Sequence, residues 1–210
     1  MINVEAAVLA TTIATFIMAI MLAALMTKRY LLKGGQLSHM FWAMGLWVFA
    51  FTVLMEAGFA TGLYSETFVA VYLFLVVALV QLLSLGSLQL VVSAKIKRAY
   101  YAYCLVVAVF VLYSVLSTNI GNIMSDYVVF GNLPLPVVVS SSLATFPAAV
   151  LMIVMAWRGY KKTKSARFTS IISGVVIVSI AGTLYIAQIP EFLYASEFIG
   201  ILLLWYGFIK

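Results

Sequence analysis

The sequence predicts an all-α integral membrane protein, a seven-transmembrane-helix bundle with its N-terminus outside and its C-terminus cytoplasmic. Three observations carry this expectation. Of 210 residues, 66% are hydrophobic and 9% charged, too little polar surface to coat a soluble globule. The apolar residues lie in long continuous runs, and about 20 residues rising ~1.5 Å each cross a hydrocarbon core ~30 Å thick. The basic residues fall into alternate connections between those runs. Continuous rather than alternating runs select helices over a barrel, because a helix satisfies its own backbone polar groups inside lipid. A single transmembrane domain, residues 1–210, accounts for the chain.

The first span runs from Ala6 to Met26. No basic segment precedes it and it is too long for a signal-peptide core, so it reads as a retained helix. Ala6, Ala10 and Ala14 offer it a small face for close packing. The second span, Phe41–Ala60, contains Glu56 and offers a similar face at Gly58 and Gly62. A short polar turn through Gly62 and Ser65 leads to the third, Thr67–Val92, with Gln81 and Ser84 near its middle. The fourth is Tyr100–Ser117, followed by a loop from Thr118 to Pro134. The fifth, Leu135–Trp157, carries Pro147, which removes one backbone bond and predicts a kink. The sixth is Phe168–Ala187. The seventh, Glu191–Ile209, opens after Pro190, with an acid facing the positive end of the helix dipole.

Charge sets the orientation. Lys28, Arg29 and Lys33 follow span one; Lys95, Lys97 and Arg98 follow span three; Arg158, Lys161, Lys162, Lys164 and Arg167 follow span five; Lys210 follows span seven. All lie on one side of a seven-span chain, which the positive-inside rule makes cytoplasmic. Glu5, Glu56, Glu66, Asp126, Glu191 and Glu197 fall on or toward the other side. The surplus of +6 needs no nucleic acid to explain it. Topology and attraction to anionic lipid at the cytoplasmic loops account for every basic residue. Tyrosines and tryptophans collect at the span ends, as amphipathic rings do at both interfaces of a bilayer. The expected location is the cell membrane, as a multi-pass protein.

A faint internal echo runs through the chain. Thr15-Phe16 opens a stretch ending at Tyr30, and Thr145-Phe146 one ending at Tyr160, with Ala19 matching Ala149. Leu63-Tyr64 before span three is echoed by Leu193-Tyr194 in span seven. The pairing is that of a parallel 3+1+3 helix repeat with the fourth helix inserted between triplets, an arrangement that places binding sites at the repeat interface. The layout resembles that of SWEET-type sugar transporters and microbial rhodopsins in architecture only. Span seven lacks the lysine that would hold retinal, and spans one and two lack the prolines of the SWEET pattern.

Polar residues within spans are the candidates for chemistry. An ionisable group at mid-membrane costs on the order of 2.5 kcal/mol or more, so Glu56 either faces a partner or water inside the bundle or snorkels to the outer interface. Its helical neighbours Thr52 and Gly45 share its face. Glu197, about one and a half turns inside span seven, either forms a carboxylate pair with Glu56 near the outer mouth, competent to hold a proton or cation, or stays in water if the chain enters the membrane nearer Ala195. Gln81, Ser84, Tyr185 and Gln188 are the candidate lining of a pocket, although interhelical hydrogen bonding is the favoured use of Gln81 and Ser84. His39 and Cys104 are the only histidine and cysteine, so neither a His/Cys metal site nor a disulfide within the chain is expected, and no cofactor. No nucleophile stands beside a base, which argues against an enzyme. The expected function is transport or permeation of a small polar solute or ion. The alternatives are a heptahelical sensor and a non-catalytic subunit of a membrane complex, and a homo-oligomer is compatible with all three.

Overall fold

The computed structural model describes residues 4–32, 34–90, 93–121, 124–125, 128–129, 133–186 and 191–209. They form seven helices: α1 (Val4–Leu32), α2 (Leu37–Ala60), α3 (Glu66–Leu88), α4 (Ala94–Ser117), α5 (Leu135–Thr163), α6 (Ala166–Ile186) and α7 (Glu191–Ile209). Between α4 and α5 lies a minimal antiparallel ribbon, β1 (Met124–Ser125) against β2 (Val128–Val129), where the sequence reads only as loop. Helices α1 to α5 each contain a stretch long and apolar enough to cross a membrane. Large apolar side chains stand outward on them, among them Leu105 (67% exposed), Val106 and Leu116 on α4. So much exposed hydrocarbon belongs against lipid tails rather than water.

Several helices outrun their apolar cores. Helix α1 continues to Leu32, α2 starts at Leu37, α4 at Ala94, and α5 continues to Thr163. Lysine, arginine and glutamine do not interrupt intrahelical hydrogen bonding, so the helix persists into the polar interface. It stops where the backbone turns left-handed, at Gly34 and Gly35 after α1 and at Lys164 (φ 54°) after α5. Helix α3 is shorter than its run. It ends at Leu88, with Gln89 as its cap, and Val91 and Val92 lie outside the described residues. Its other end is closed by Ser65, whose side chain accepts from the Phe68 amide at 3.1 Å.

Helices α1, α2, α3, α5, α6 and α7 touch in that cyclic order, with α7 returning to α1, while α4 stands outside against α3 and α5. The three basic connections gather at one end of this ring. Arg29 donates to the Phe208 carbonyl, Trp42 packs on Phe208 with ring centroids 5.1 Å apart, and Gly207 abuts Ile171 and the Arg167 carbonyl. At that basic end Leu22, Met26, Leu46, Leu79, Leu83 and Ile201 fill the ring interior, with Met152 of α5 against them. The opposite end is built on Met55, Phe59, Val69 and Tyr72.

The small-residue faces differ from those expected. Helix α1 exposes Ala10, half-buries Ala14 and buries Thr12, Thr15, Ala19, Leu22 and Met26, while the side chain of Ala6 lies outside the described residues. Gly62 lies beyond α2 in the turn, at φ +85°, so Gly58 and Gly62 form no common helical face. Close approach occurs instead between α6 and α7, where a Cβ at Gly200 would meet Val178 at 2.4 Å. Pro147 lies inside α5, and its missing N–H leaves the Leu143 carbonyl without its intrahelical donor. The Tyr103 hydroxyl of α4 donates to that carbonyl at 2.6 Å, so the proline site is also where α4 is fastened to the ring.

Candidate functional site

Glu56 lies four residues before the end of α2, and its side chain turns inward. It is 2% exposed, on the same buried face as Thr52 and Gly45. Tyr72 of α3 donates its hydroxyl to Glu56 Oε1 at 2.7 Å. The other oxygen, Oε2, is buried without a hydrogen-bond partner among the described residues. Against this carboxyl, within side-chain hydrogen-bonding reach, comes the carboxyl of Glu197 from α7, a residue of intermediate exposure. Snorkelling is therefore not the fate of Glu56. The helix pair α2–α3 folds back across a short turn, which sets Glu56, four residues from the end of α2, beside Tyr72, six residues into α3. Tyr72 was not among the expected site residues, because a tyrosine in an apolar run also reads as a large hydrophobe.

Two ionised carboxylates are acceptors only, so neither can bond the other directly. A proton or a cation between them turns the contact from repulsive to attractive. Phe59 packs edge-on against Tyr72 at 5.3 Å between ring centroids, and Phe68 against Phe59 at 4.9 Å, which keeps water from that flank. Among the described residues no three of His, Cys, Asp and Glu come together. A cation here would find two carboxyls, the Tyr72 oxygen and no third acidic ligand.

Replacing Tyr72 by Phe removes a donor that a buried carboxyl needs. A hydrogen bond to a charged group contributes about 1.5–3 kcal/mol in soluble proteins, and less between transmembrane helices. We expect Tyr72→Phe to lower the melting temperature in detergent by several degrees, and by clearly less in a Glu56→Gln background, where the acceptor is neutral. Equal losses in both backgrounds would show that the hydroxyl acts elsewhere.

The remaining expected residues lie apart. Gln81 and Ser84 follow Tyr72 on α3, but nine residues at about 100° each place Gln81 on the opposite side of the helix, roughly 13 Å further along. Ser84 Oγ donates to the Gln81 carbonyl at 2.7 Å and lies 3.0 Å from the Tyr100 hydroxyl of α4. Gln81 is 6% exposed, and its Nε2 has no hydrogen-bond partner among the described residues. Ser84 meets α4 through Tyr100, and neither residue is hydrogen-bonded to the carboxyl pair among the described residues. Gln188 lies outside the described residues, as does the side chain of Tyr185, whose backbone belongs to α6. No protein-family model, curated protein or solved structure matches the chain.

Proposed function

We propose that the chain is a seven-span protein of the cell membrane, N-terminus outside and basic end cytoplasmic, that moves a small polar solute or cation by way of the Glu56–Glu197 pair. The observation that carries this reading is the buried Glu56 oxygen with no hydrogen-bond donor among the described residues, set against a second carboxyl from another helix. Acids held inside a bundle mark ion and proton pathways, because a group so costly to bury is otherwise avoided. No catalytic step is part of the proposal.

The ring geometry supports a duplicated scaffold. Thr15 and Thr145, Tyr30 and Tyr160, and Tyr64 and Tyr194 are each 130 residues apart. Thr15 and Thr145 both donate to the carbonyl four residues back, each at 2.9 Å. Tyr30 and Tyr160 both offer the carbonyl that closes their helix, to Gly35 at 3.0 Å and to Lys164 at 2.7 Å. Exchanging triplet α1–α3 with triplet α5–α7 leaves the cyclic order unchanged. Glu56 and Tyr72 then belong to one triplet and Glu197 to the other, so the pair bridges the two halves, where repeat transporters hold their substrates.

A second reading is favoured by the apolar cluster of Leu22, Met26, Leu46, Leu79, Leu83 and Ile201 that packs between the helices at the basic end. A closed transporter conformation has this form, and so does a sensor or a complex subunit. Proteoliposomes decide between them: the purified chain should dissipate an imposed proton or sodium gradient faster than empty vesicles, and leakage at the empty-vesicle rate overturns transport. Orientation is tested separately by single cysteines in a Cys104→Ser background. Cysteines at Lys97 and Lys162 should react only with a reagent on the cytoplasmic face, and labelling of the two from opposite faces would sink the seven-span scheme.

A further inference from the structure

We propose that the groove beside the basic end of α1 is a binding site for one anionic phospholipid, its acyl chain on the helix and its phosphate on Lys28. The groove is an open depression of about 460 Å³ between α1 and α7, lined by Met21, Ala24, Leu25, Lys28, Arg29 and Trp205. The five α1 residues recur at three- and four-residue spacing, so they form one helical face that is apolar for its first two turns and cationic at its end.

Each wall suits a lipid. Ile13, Ile17 and Met21, each about half exposed, continue the apolar floor along α1, so the groove opens onto surface that faces hydrocarbon in the membrane. Trp205 brings an amphipathic ring to the level where such rings meet headgroups. Arg29 is committed to the Phe208 carbonyl, where it fixes α7 against α1 and adds positive potential. Lys28 is exposed and makes no ion pair among the described residues. Lys97, by contrast, donates to the Gln89 carbonyl, and Lys161 and Lys164 lie over aromatic rings. A phosphate at Lys28 gains a counter-charge at the interface while the chain below it covers apolar side chains. This goes beyond the general attraction of basic loops for acidic membranes, and it stands whether or not the chain transports anything.

The test offers the purified protein equal amounts of dioleoylphosphatidylglycerol and dioleoylphosphatidylcholine in mild detergent and counts retained lipids by native mass spectrometry. One basic contact at a membrane surface is worth about fivefold in affinity. We expect one phosphatidylglycerol to be retained about fivefold over phosphatidylcholine, and Lys28→Ala to remove that preference. Ala24→Trp, at an exposed position, should block the chain's path and lose the bound lipid with Lys28 intact. Arg158→Ala, outside the groove, should behave as wild type. Absence of preference in the wild type overturns the proposal, as does its persistence in Lys28→Ala or in Ala24→Trp. An equal loss in Arg158→Ala overturns it too, since that is diffuse attraction rather than a site.

Discussion

Proteoliposomes carrying Glu56→Gln should lose gradient dissipation by about tenfold or more while the protein melts at or above the wild-type temperature. The two halves of that expectation follow from one geometry. Glutamine has nearly the shape of glutamate, so its carbonyl oxygen still accepts from Tyr72, as Oε1 does at 2.7 Å. Its amide takes the place of Oε2, the oxygen that has no partner among the described residues. An N–H there can donate to the Glu197 carboxylate, occupying with a fixed donor the position a proton or cation would hold. The site is then satisfied and no longer exchangeable. Glu56→Leu is a poorer test, because it strands the Tyr72 hydroxyl and the Glu197 carboxyl and lowers stability for that reason alone. Glu197→Gln should reproduce Glu56→Gln from the other side of the contact. If Glu56→Gln conducts at the wild-type rate, the pair has no part in permeation, and if the wild type itself equals empty vesicles, transport falls with it.

How far these features could be read in advance depends on whether they belong to one helix or to two. The seven helices were legible because lipid forces every apolar run to satisfy its own backbone, which leaves one secondary structure to choose. Their ends were less so, since α1 and α5 continue through lysine and arginine that no rule of apolarity would include. Glu56 announced itself as an acid in an apolar run. Its donor did not, because a tyrosine in such a run also reads as a large hydrophobe, and its direction depends on how α2 and α3 fold together. Gln81 and Ser84 were recognisable as a polar pair on one face, but periodicity within α3 does not say which neighbour that face meets. Here Ser84 meets Tyr100 of α4.

The same division holds for Pro147. Loss of one backbone bond in α5 followed from the residue alone, whereas the hydroxyl that answers it comes from Tyr103, on a helix outside the ring. The α4 helix is thus tied on by polar contacts at Tyr100 and Tyr103 as well as by the valines Val107, Val111 and Val115. Between helices in lipid such bonds and close packing matter more than apolarity, since the tails are as apolar as the side chains. The glycines show the limit most plainly. Gly58 and Gly62 had the right spacing, but the chain turns between them, and close approaches that need glycine lie elsewhere, Gly86, Gly159, Gly200 and Gly207 among them.

Gly86→Ala should destabilise the protein by about 2 kcal/mol and lower its melting temperature by roughly 4–8 °C. Local preference argues the other way, because alanine is favoured over glycine inside a helix by about 0.8–1 kcal/mol. The surroundings decide. A Cβ at this position would lie 2.3 Å from Cδ1 and 2.5 Å from Nε1 of Trp42, well inside contact distance. The indole has little room to yield: its Nε1 donates to the Leu83 carbonyl at 3.2 Å, Phe208 packs on it at 5.1 Å, and His39 meets its edge at 5.8 Å. Trp42 therefore ties α2 to α3 and α7 at the basic end, and displacing it loosens two interfaces at once. In a Trp42→Leu background, itself less stable, the obstruction is gone and only the helix preference remains. There Gly86→Ala should become neutral or stabilising by up to about 1 kcal/mol. Reversal of sign between the two backgrounds, read from thermal melts of the four proteins in one detergent, is the expected result. A loss of equal size in both would mean that glycine is required at position 86 for a reason other than the indole.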